Sequence, residues 1–399
     1  MPRTFHIVTF GCQMNKLDSE LIHAALQREG FDPVADPERA DVLIYNTCSV
    51  REHAEDKVFS HLGTWRDRAR RDPDFVLGVV GCMAQRLGEK IAERFEYVRL
   101  ICGTRNFMNM PGYIRHIAGT GERVVALGEG DLRFDRAPEL RPRPHQAYVS
   151  IMRGCNNFCS YCIVPHVRGR EVSRPAKDIA GEARDLVENG VLEITLLGQN
   201  VNAYGKDRDE DTALAGLLRK VDRIEGLKRL RFVTNHPKDI TDRLLRTVAE
   251  LGSVCEHLHV PAQSGDDEVL RRMNRGYTRD HYLNLVERAR RAIPGVEIAG
   301  DFIVGFPGET EEQFERTLDL LKRVEFQQSY IFRYSPRPGT RAAGWEDDVP
   351  DAVKRQRQQK MLAAQEEVDK RRRANLVGEE LRVLCDELNE SQPQEGRFK

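Results

Sequence analysis

Three thiols stand within eight residues in the run Cys155-Asn156-Asn157-Phe158-Cys159-Ser160-Tyr161-Cys162. The run immediately follows a segment, Tyr148–Met152, that reads as a strand. A loop of this form can hold three irons of a [4Fe–4S] cube and leave the fourth without a protein ligand, since such clusters usually take four thiolates. A zinc site completed by His166 is the other use of these thiols, although zinc loops usually pair a CxxC with a second pair elsewhere. Three further cysteines, Cys12, Cys48 and Cys82, are distant in sequence but equivalent in context. His6–Phe10 leads through Gly11 to Cys12, Val42–Tyr45 through Asn46 and Thr47 to Cys48, and Phe75–Val80 through Gly81 to Cys82; a helical stretch follows each. Ligands of open parallel sheets gather outside the carboxyl ends of the strands, so thiols at one point of successive βα units can converge. That convergence supports a metal site without specifying a cluster, and any one of these cysteines alone could be a packing residue.

The elements that must position these groups are α/β throughout. Over residues 1–120, short apolar strands alternate with the helical stretches Leu17–Arg28, Glu52–Arg70 and Arg86–Phe95, which predicts a parallel sheet. An Arg- and Pro-rich segment (Arg136, Pro138, Arg141, Pro142, Arg143, Pro144) reads as a linker, bounded at 121–145. Six candidate strands follow: Tyr148–Met152, Glu193–Leu197, Leu230–Thr234, His257–Val260, Val296–Val304 and Ser329–Tyr334. Between them lie the amphipathic segments Asp178–Glu188, Leu214–Ile224, Ile240–Leu251, Thr278–Ala292 and Glu311–Val324. Six units predict a partial (β/α)6 barrel over 146–340. A helical extension over 341–377 and a final segment, 378–399, with one strand candidate at Leu381–Leu384, complete the chain.

Composition narrows the classes. The 399 residues include 62 Lys+Arg against 63 Asp+Glu, and the 40% hydrophobic and 31% charged content excludes disordered and collagen-like chains. The longest apolar run, Phe75–Ala84, falls far short of the roughly 18 residues of a membrane span. Gln13, Asn15, Lys16 and Asp18 come too early for a secretory leader, so a soluble cytoplasmic protein is expected. Nine cysteines are too few and too odd in number for a disulfide framework, which returns the argument to metal or redox chemistry. Between Arg136 and Arg174 seven Arg oppose two Glu, and Arg168 and Arg170 lie just past the cysteine loop, where a polyanion would enter. Lys354–Arg373 is a second basic stretch, readable equally as solvated surface.

With these motifs the chain resembles the radical S-adenosylmethionine enzymes, and within them the MiaB-type methylthiotransferases. The resemblance rests on the CxxxCxxC loop and on Gly11–Asn15, Asn46–Arg51 and Gly81–Gln85 in the first region. Gly198-Gln199-Asn200, Pro261–Gly265, Gly305–Thr310 and Tyr334–Thr340 carry it through the second, over roughly residues 4–375. It implies two [4Fe–4S] clusters, one on Cys155, Cys159 and Cys162, the other, auxiliary, on Cys12, Cys48 and Cys82 of an N-terminal methylthiotransferase domain. Cys102 fits the topology but not the family motif and is assigned to packing, with Cys255 and Cys385. S-adenosylmethionine is expected at the barrel, with Tyr161 beside the adenine, Gln199 and Asn200 toward the methionine end and Gln263 and Ser264 toward the ribose. Arg275 is a carboxylate partner or a solvated surface charge. The implied reaction is methylthiolation of C2 of a prenylated adenosine 3′ of the anticodon in tRNA; a different modified adenosine or a ribosomal-protein aspartate is the alternative substrate. A reductant protein such as flavodoxin or ferredoxin, a monomeric state and no membrane partner complete the expectation. Residues 378–399 resemble the start of a TRAM β-domain and are too few to close a five-stranded barrel of roughly 40 residues, so that segment is expected to be incomplete.

Overall fold

Runs rich in Val, Ile and Leu build the first sheet of the computed structural model, which describes residues 3–49, 52–128, 130, 144–208, 213–381 and 383–384. The chain forms two compact units. The first comprises Met1–Pro142 with Arg153–Asn156 and Cys162–Arg170, and the second Arg143–Met152, Asn157–Tyr161 and Glu171–Lys399. Linker positions Arg136, Arg141 and Arg143, as well as Cys385 and most of 378–399, lie outside the described residues; Leu381, Val383 and Leu384 are described and carry no strand.

In the first unit, β1 (Thr4–Phe10), β2 (Asp32–Pro33), β3 (Val42–Thr47), β4 (Val76–Gly81), β5 (Leu100–Cys102) and β6 (Val124–Ala126) pair in the order β2-β1-β3-β4-β5-β6. Every pairing is parallel. β3 and β4 are buried at every residue, as strands covered on both faces must be. On one face Ile22 and Leu26 of α1 (Gln13–Arg28) and Ile114 and Ile117 of α5 (Met110–Thr120) pack on Val42, Ile44, Val76 and Val80. On the other, Val58 and Leu62 of α2 (Glu52–Thr64) and Ile91 of α4 (Cys82–Arg94) pack on Leu43, Tyr45, Leu77 and Val79. The chain runs from β1 outward to β2 and back to β3, so the strand order reverses between β1 and β3. Ligands of doubly wound folds bind at that reversal, beyond the carboxyl ends of the strands.

The helix expected over Glu52–Arg70 is broken at Trp65, between α2 and α3 (Arg66–Arg71). Trp65 is buried and donates its indole N–H to the Tyr45 hydroxyl at 2.8 Å. Arg68 then lies 4.1 Å over the Phe75 ring and donates to the Glu38 and Ala40 carbonyls. These tertiary contacts override a pattern that reads as one continuous helix.

The second unit is the expected incomplete barrel. β7 (Gln146–Ser150), β10 (Glu193–Leu197) and β11 (Arg229–Phe232) form one parallel sheet, β12 (His257–His259), β13 (Glu297–Val304) and β14 (Gln328–Arg333) a second. The intervening β8 (Met152–Arg153) and β9 (Val172–Ser173) are two residues each. Leu230 N–H donates to Ser253 at 2.7 Å, and its carbonyl accepts from Cys255 N–H at 3.0 Å, which joins the sheets into one six-stranded run. The core lies between these strands and α7 (Ala176–Glu188), α8 (Leu214–Asp222), α9 (Asp242–Glu250), α11 (Arg279–Ala292) and α12 (Glu311–Val324). Sequence patterning misses α10 (Asp267–Arg272), too short for a helical period to show.

α13 (Asp351–Ala374), the second basic stretch, is part of this packing and not a free cationic face. Met361, Ala364 and Val368 enter the barrel core. Lys354 pairs with Asp347 at 2.6 Å, Arg357 with Glu309 at 2.8 Å, Lys360 with Glu311 at 2.9 Å and Arg371 with Glu325 at 3.1 Å; Arg372 pairs with Glu297. Among the described residues no helix is long and apolar enough to cross a membrane.

Phe326, fully buried, meets Phe302 edge-on at 5.3 Å, and Gly300 leaves room for its ring. Phe326→Ala is expected to destabilise the barrel by about 3–5 kcal/mol, measured by chemical denaturation of the matched proteins.

Candidate metal centres

The three distant cysteines stand where the sheet topology delivers them. Cys12 lies two residues beyond β1 and caps α1, Cys48 follows β3, and Cys82 opens α4 directly after β4. Cys12 and Cys48 therefore flank the reversal point of the sheet, and Cys82 stands on the next strand. Helix amino termini favour the anionic form of a thiol.

Two polar clamps fix this geometry. Asn15 of α1 and Asn46 of β3 are both fully buried. Asn46 Nδ2 donates to the Asn15 carbonyl and to Ser19 Oγ, each at 2.9 Å, and Asn15 Nδ2 donates to Asn46 Oδ1 at 3.2 Å. Asn15 Oδ1 also accepts from Cys12 N–H at 3.3 Å. The second clamp joins the Cys48 loop to α4: Ser49 Oγ donates to Glu55 at 2.7 Å, while Arg86 donates to Ser49 Oγ at 3.0 Å and to Glu55 at 2.5 Å. Glycine is required between the clamps. Gly81 has φ +93°, and a Cβ there would lie 2.4 Å from Asn46 Oδ1; one on Gly11 would lie 2.9 Å from Cys48 Cβ.

The charges converge on the same place. Arg168 of α6 (Val164–Arg168), expected at a polyanion entrance, is buried. It donates Nε–H to Cys82 Sγ at 3.3 Å and Nη2–H to Asp18 Oδ2 at 2.6 Å. Asp18 is fully buried and also faces Arg153 Nη2 at 3.5 Å. A hydrogen bond with the Cys48 thiol lowers Cys12 to about 6, against the burial that would raise it and with Arg168 assisting. Burial pushes the Cys82 thiol up, and Arg168 opposes that rise. Cys102 is fully buried among Val76, Val80 and Leu100, burial alone raising its thiol, as a packing residue should be. Cys255 is half-buried, and His166, the fourth ligand of the zinc alternative, is exposed.

The CxxxCxxC loop begins in the first unit, where Cys155 N–H donates to the Gly169 carbonyl at 3.2 Å. Gly154 has φ +79°, and any Cβ there would lie 1.9 Å from the Arg170 carbonyl oxygen. Cys159 and Tyr161 belong to the second unit. There Arg275 is a buried cation and not the surface charge of the alternative reading. Its Nη1 donates to Cys159 Sγ and to the Tyr161 hydroxyl, both at 3.4 Å, its Nη2 to the Pro261 carbonyl at 3.0 Å and its Nε to Tyr277 at 3.1 Å. The Tyr161 ring stands edge-on to Phe306 at 6.4 Å.

The remaining expected contacts occupy strand ends. Gln199 is half-buried in the turn after β10, and Asn200 Nδ2 beside it donates to Asp239 at 3.2 Å. Gln263 holds φ +67°, with its backbone bonded to Asp301 and Ile303 on β13. Ser264 Oγ is 3.1 Å from Thr317 Oγ1 and accepts from Asp266 N–H, which ties it to the start of α10. Asn200 Oδ1, Asn235 Oδ1, His236 Nε2, Glu309 Oε1 and Tyr334 OH are buried without a hydrogen-bond partner. Burial pushes His236 down to about 2, so its ring is neutral. Buried polar atoms left unsatisfied at strand ends suit a polar ligand that completes them. Asn235 and His236 were not singled out from sequence; the Thr234-Asn235-His236-Pro237 turn after β11 was the available signal.

A parallel (β/α)6 barrel with a CxxxCxxC loop after its first strand defines a radical S-adenosylmethionine protein, and residues 149–321 match the Radical SAM superfamily. Residues 4–103 match the Uncharacterized protein family UPF0004. A tRNA-2-methylthio-N(6)-dimethylallyladenosine synthase of Moorella thermoacetica is 47% identical over 395 residues, covering 98% of this chain and 89% of that relative. The like-named protein of Geobacter sulfurreducens is 47% identical over 384 residues, covering 96% and 86%. The chain belongs to the tRNA-2-methylthio-N(6)-dimethylallyladenosine synthase family. A solved structure of the radical S-adenosylmethionine methyltransferase TsrM from Kitasatospora setae shares the fold, with TM-score 0.62 and 16% identity over 86% of this chain and 74% of that one.

Asn46→Ala removes three buried hydrogen bonds and leaves Asn15 incompletely partnered. It is expected to destabilise the first unit by about 1–3 kcal/mol, read as a lower thermal midpoint.

Proposed function

We infer that this protein methylthiolates C2 of N6-(dimethylallyl)adenosine next to the anticodon of tRNA. The substrate follows from the family; a ribosomal-protein aspartate or another modified adenosine is disfavoured because the relatives, at 44–47% identity over nearly the whole chain, carry the dimethylallyladenosine name. What supports the assignment of residues most directly is that Cys12, Cys48 and Cys82 follow three neighbouring parallel strands, with Cys12 hydrogen-bonded to Cys48 and Cys82 to the buried Arg168.

We assign Cys155, Cys159 and Cys162 to the cluster that binds S-adenosylmethionine, and Cys12, Cys48 and Cys82 to the auxiliary cluster. Residues 1–120 carry the auxiliary site, 146–340 the barrel, 121–145 the linker and 341–377 the helical extension, with 378–399 as a TRAM-like segment. When bound, the two [4Fe–4S] clusters and S-adenosylmethionine supply one-electron chemistry able to activate an unreactive aromatic C–H bond and a sulfur site to functionalise it. The chain's own residues orient and enclose these groups. Arg275 offers a fixed cation beside Cys159 and Tyr161, so it suits the carboxylate of S-adenosylmethionine, with Tyr161 near the adenine. Asn200, Asn235 and His236 present partnerless polar atoms to the same barrel end, joining Gln199, Gln263 and Ser264 as candidate contacts. No side chain need remove a proton from C2, because the hydrogen is not acidic. A reductant protein such as flavodoxin or ferredoxin would supply electrons, and the cytoplasm is the compartment in which both it and tRNA are met. We assign a monomer.

Two triple variants test this reading. Cys155→Ala/Cys159→Ala/Cys162→Ala is expected to retain half the iron of the reconstituted protein and to lose all cleavage of S-adenosylmethionine to 5′-deoxyadenosine. Cys12→Ala/Cys48→Ala/Cys82→Ala should also keep half the iron, retain that cleavage and form no methylthiolated nucleoside, measured by mass spectrometry of digested tRNA. Loss of both clusters in either variant would refute independent sites.

A further inference from the structure

Side chains alternate between the two faces of a strand. Leu258, Ile298, Phe302 and Ile331 enter the core shared with the helices. His259, Asp301, Ile303, Tyr330 and Phe332 therefore lie on the opposite, inner face, toward the carboxyl ends of β12, β13 and β14. In the strand register Asp301 stands beside Tyr330, and Ile303 beside Phe332. A closed barrel fills its interior with packed side chains, yet Tyr330 is 42% and Phe332 40% exposed, so these rings line open space. Ile303 and Tyr161 pack on the same cluster of Phe306 and Tyr334, which sets the rings near the loop that carries Cys159. The polar part is equally defined. His259 Nδ1 accepts from Thr234 N–H at 3.2 Å, so the ring keeps its proton on Nε2 and donates it to Asp301 Oδ1 at 3.1 Å. Thr234 delivers that N–H from φ +70°, a left-handed backbone that is costly for a β-branched residue. Oδ2 of Asp301 has no hydrogen-bond partner among the described residues.

We propose that these residues determine which base the enzyme accepts. Asp301 Oδ2 accepts the N6–H of the prenylated adenine, Phe332 and Tyr330 cover its dimethylallyl branch, and His259 is a positioning residue that holds the carboxylate. The proposal rests on the substrate reading given above. A base drawn out of its stack is read by hydrogen bonds to its polar edge and by contact with aromatic or apolar side chains. N6-(dimethylallyl)adenine presents both requirements at one atom, since N6 carries a hydrogen and the apolar branch together. The inner face answers with an acceptor and two rings at neighbouring register positions. Guanine places an acceptor, O6, at the same point of the ring, which a carboxylate repels, so Asp301 selects against guanine as well as for adenine.

The test uses the full-length chain reconstituted with both clusters and one tRNA prepared in three forms, with dimethylallyladenosine, unmodified adenosine or guanosine next to the anticodon. Binding is read by fluorescence anisotropy. Phe332→Ala is expected to reduce the preference for the prenylated over the unmodified form about tenfold or more. Asp301→Asn is expected to weaken binding of both adenosine forms and to strengthen binding of the guanosine form, because the amide can donate to O6. A purely structural defect would weaken all three forms alike, and an unchanged order of preference in both variants would overturn the proposal. Loss of 5′-deoxyadenosine formation in the absence of tRNA would place S-adenosylmethionine, and not the substrate base, against these residues and would overturn it too. Should Phe332→Ala fail to fold, Tyr330→Ala decides by the same ratio. Failure of the substrate reading is seen in the parent protein itself, which would then form no methylthiolated nucleoside from the prenylated tRNA, and the proposal would fall with it.

Discussion

A carboxylate with no access to water cannot stand alone, and Asp18 has none. Its position on α1, six residues beyond Cys12, is tolerable only because Arg153 and Arg168 reach it from either side of the CxxxCxxC loop in the sequence. Much of the first unit follows from that requirement. The segment 162–170 must pack with the sheet so that Arg168 can arrive, and Thr104 must present its carbonyl to Arg153 and its hydroxyl to the Val167 carbonyl. The result is a cation beside Cys82 that the strands and helices of the sheet alone would not have provided.

The second unit solves an analogous problem with one residue. Arg275 is buried, and it meets Cys159 Sγ at 3.4 Å much as Arg168 meets Cys82 Sγ at 3.3 Å. Among the described residues it has no carboxylate partner; carbonyl and phenol oxygens from Pro261, Tyr161 and Tyr277 orient the guanidinium instead. An arginine held by neutral acceptors keeps its full charge available to an anionic ligand, whereas one paired with a carboxylate shares it. Each unit thus places a dry, fixed cation against a cysteine, with the effective charge set by the company it keeps.

The sequence revealed most where its signals are local. Glu193–Leu197 and Glu311–Val324 were bounded as the structure has them, because an apolar strand between polar turns and a helix opening on the capping Thr310 declare their own ends. The cysteines after β1, β3 and β4 were legible because one strand-then-thiol pattern recurs three times. Contacts between distant residues left no such trace. Nothing near Arg168 distinguishes it from an exposed phosphate ligand; its partner lies 150 residues earlier. The basic stretch of α13 was ambiguous for the same reason, since Asp347, Glu309, Glu311 and Glu325 that absorb its charge come from other elements. Trp65 broke a helix whose local pattern favoured continuation, for the sake of a bond to Tyr45 twenty residues away.

The 150-residue separation between Asp18 and Arg168 also has a meaning in time. A chain leaving the ribosome can pair β1, β2 and β3 once residue 47 is free, so Cys12 and Cys48 can be brought together early. Asp18 then has neither guanidinium, and a carboxylate in that condition stays hydrated, keeping this end of α1 open to water. The interior dries only after Arg153 and Arg168 have been synthesised and have crossed back to it, by which point the CxxxCxxC loop between them has emerged as well. Nascent chains therefore close this end of the first unit late, once residue 168 has been made.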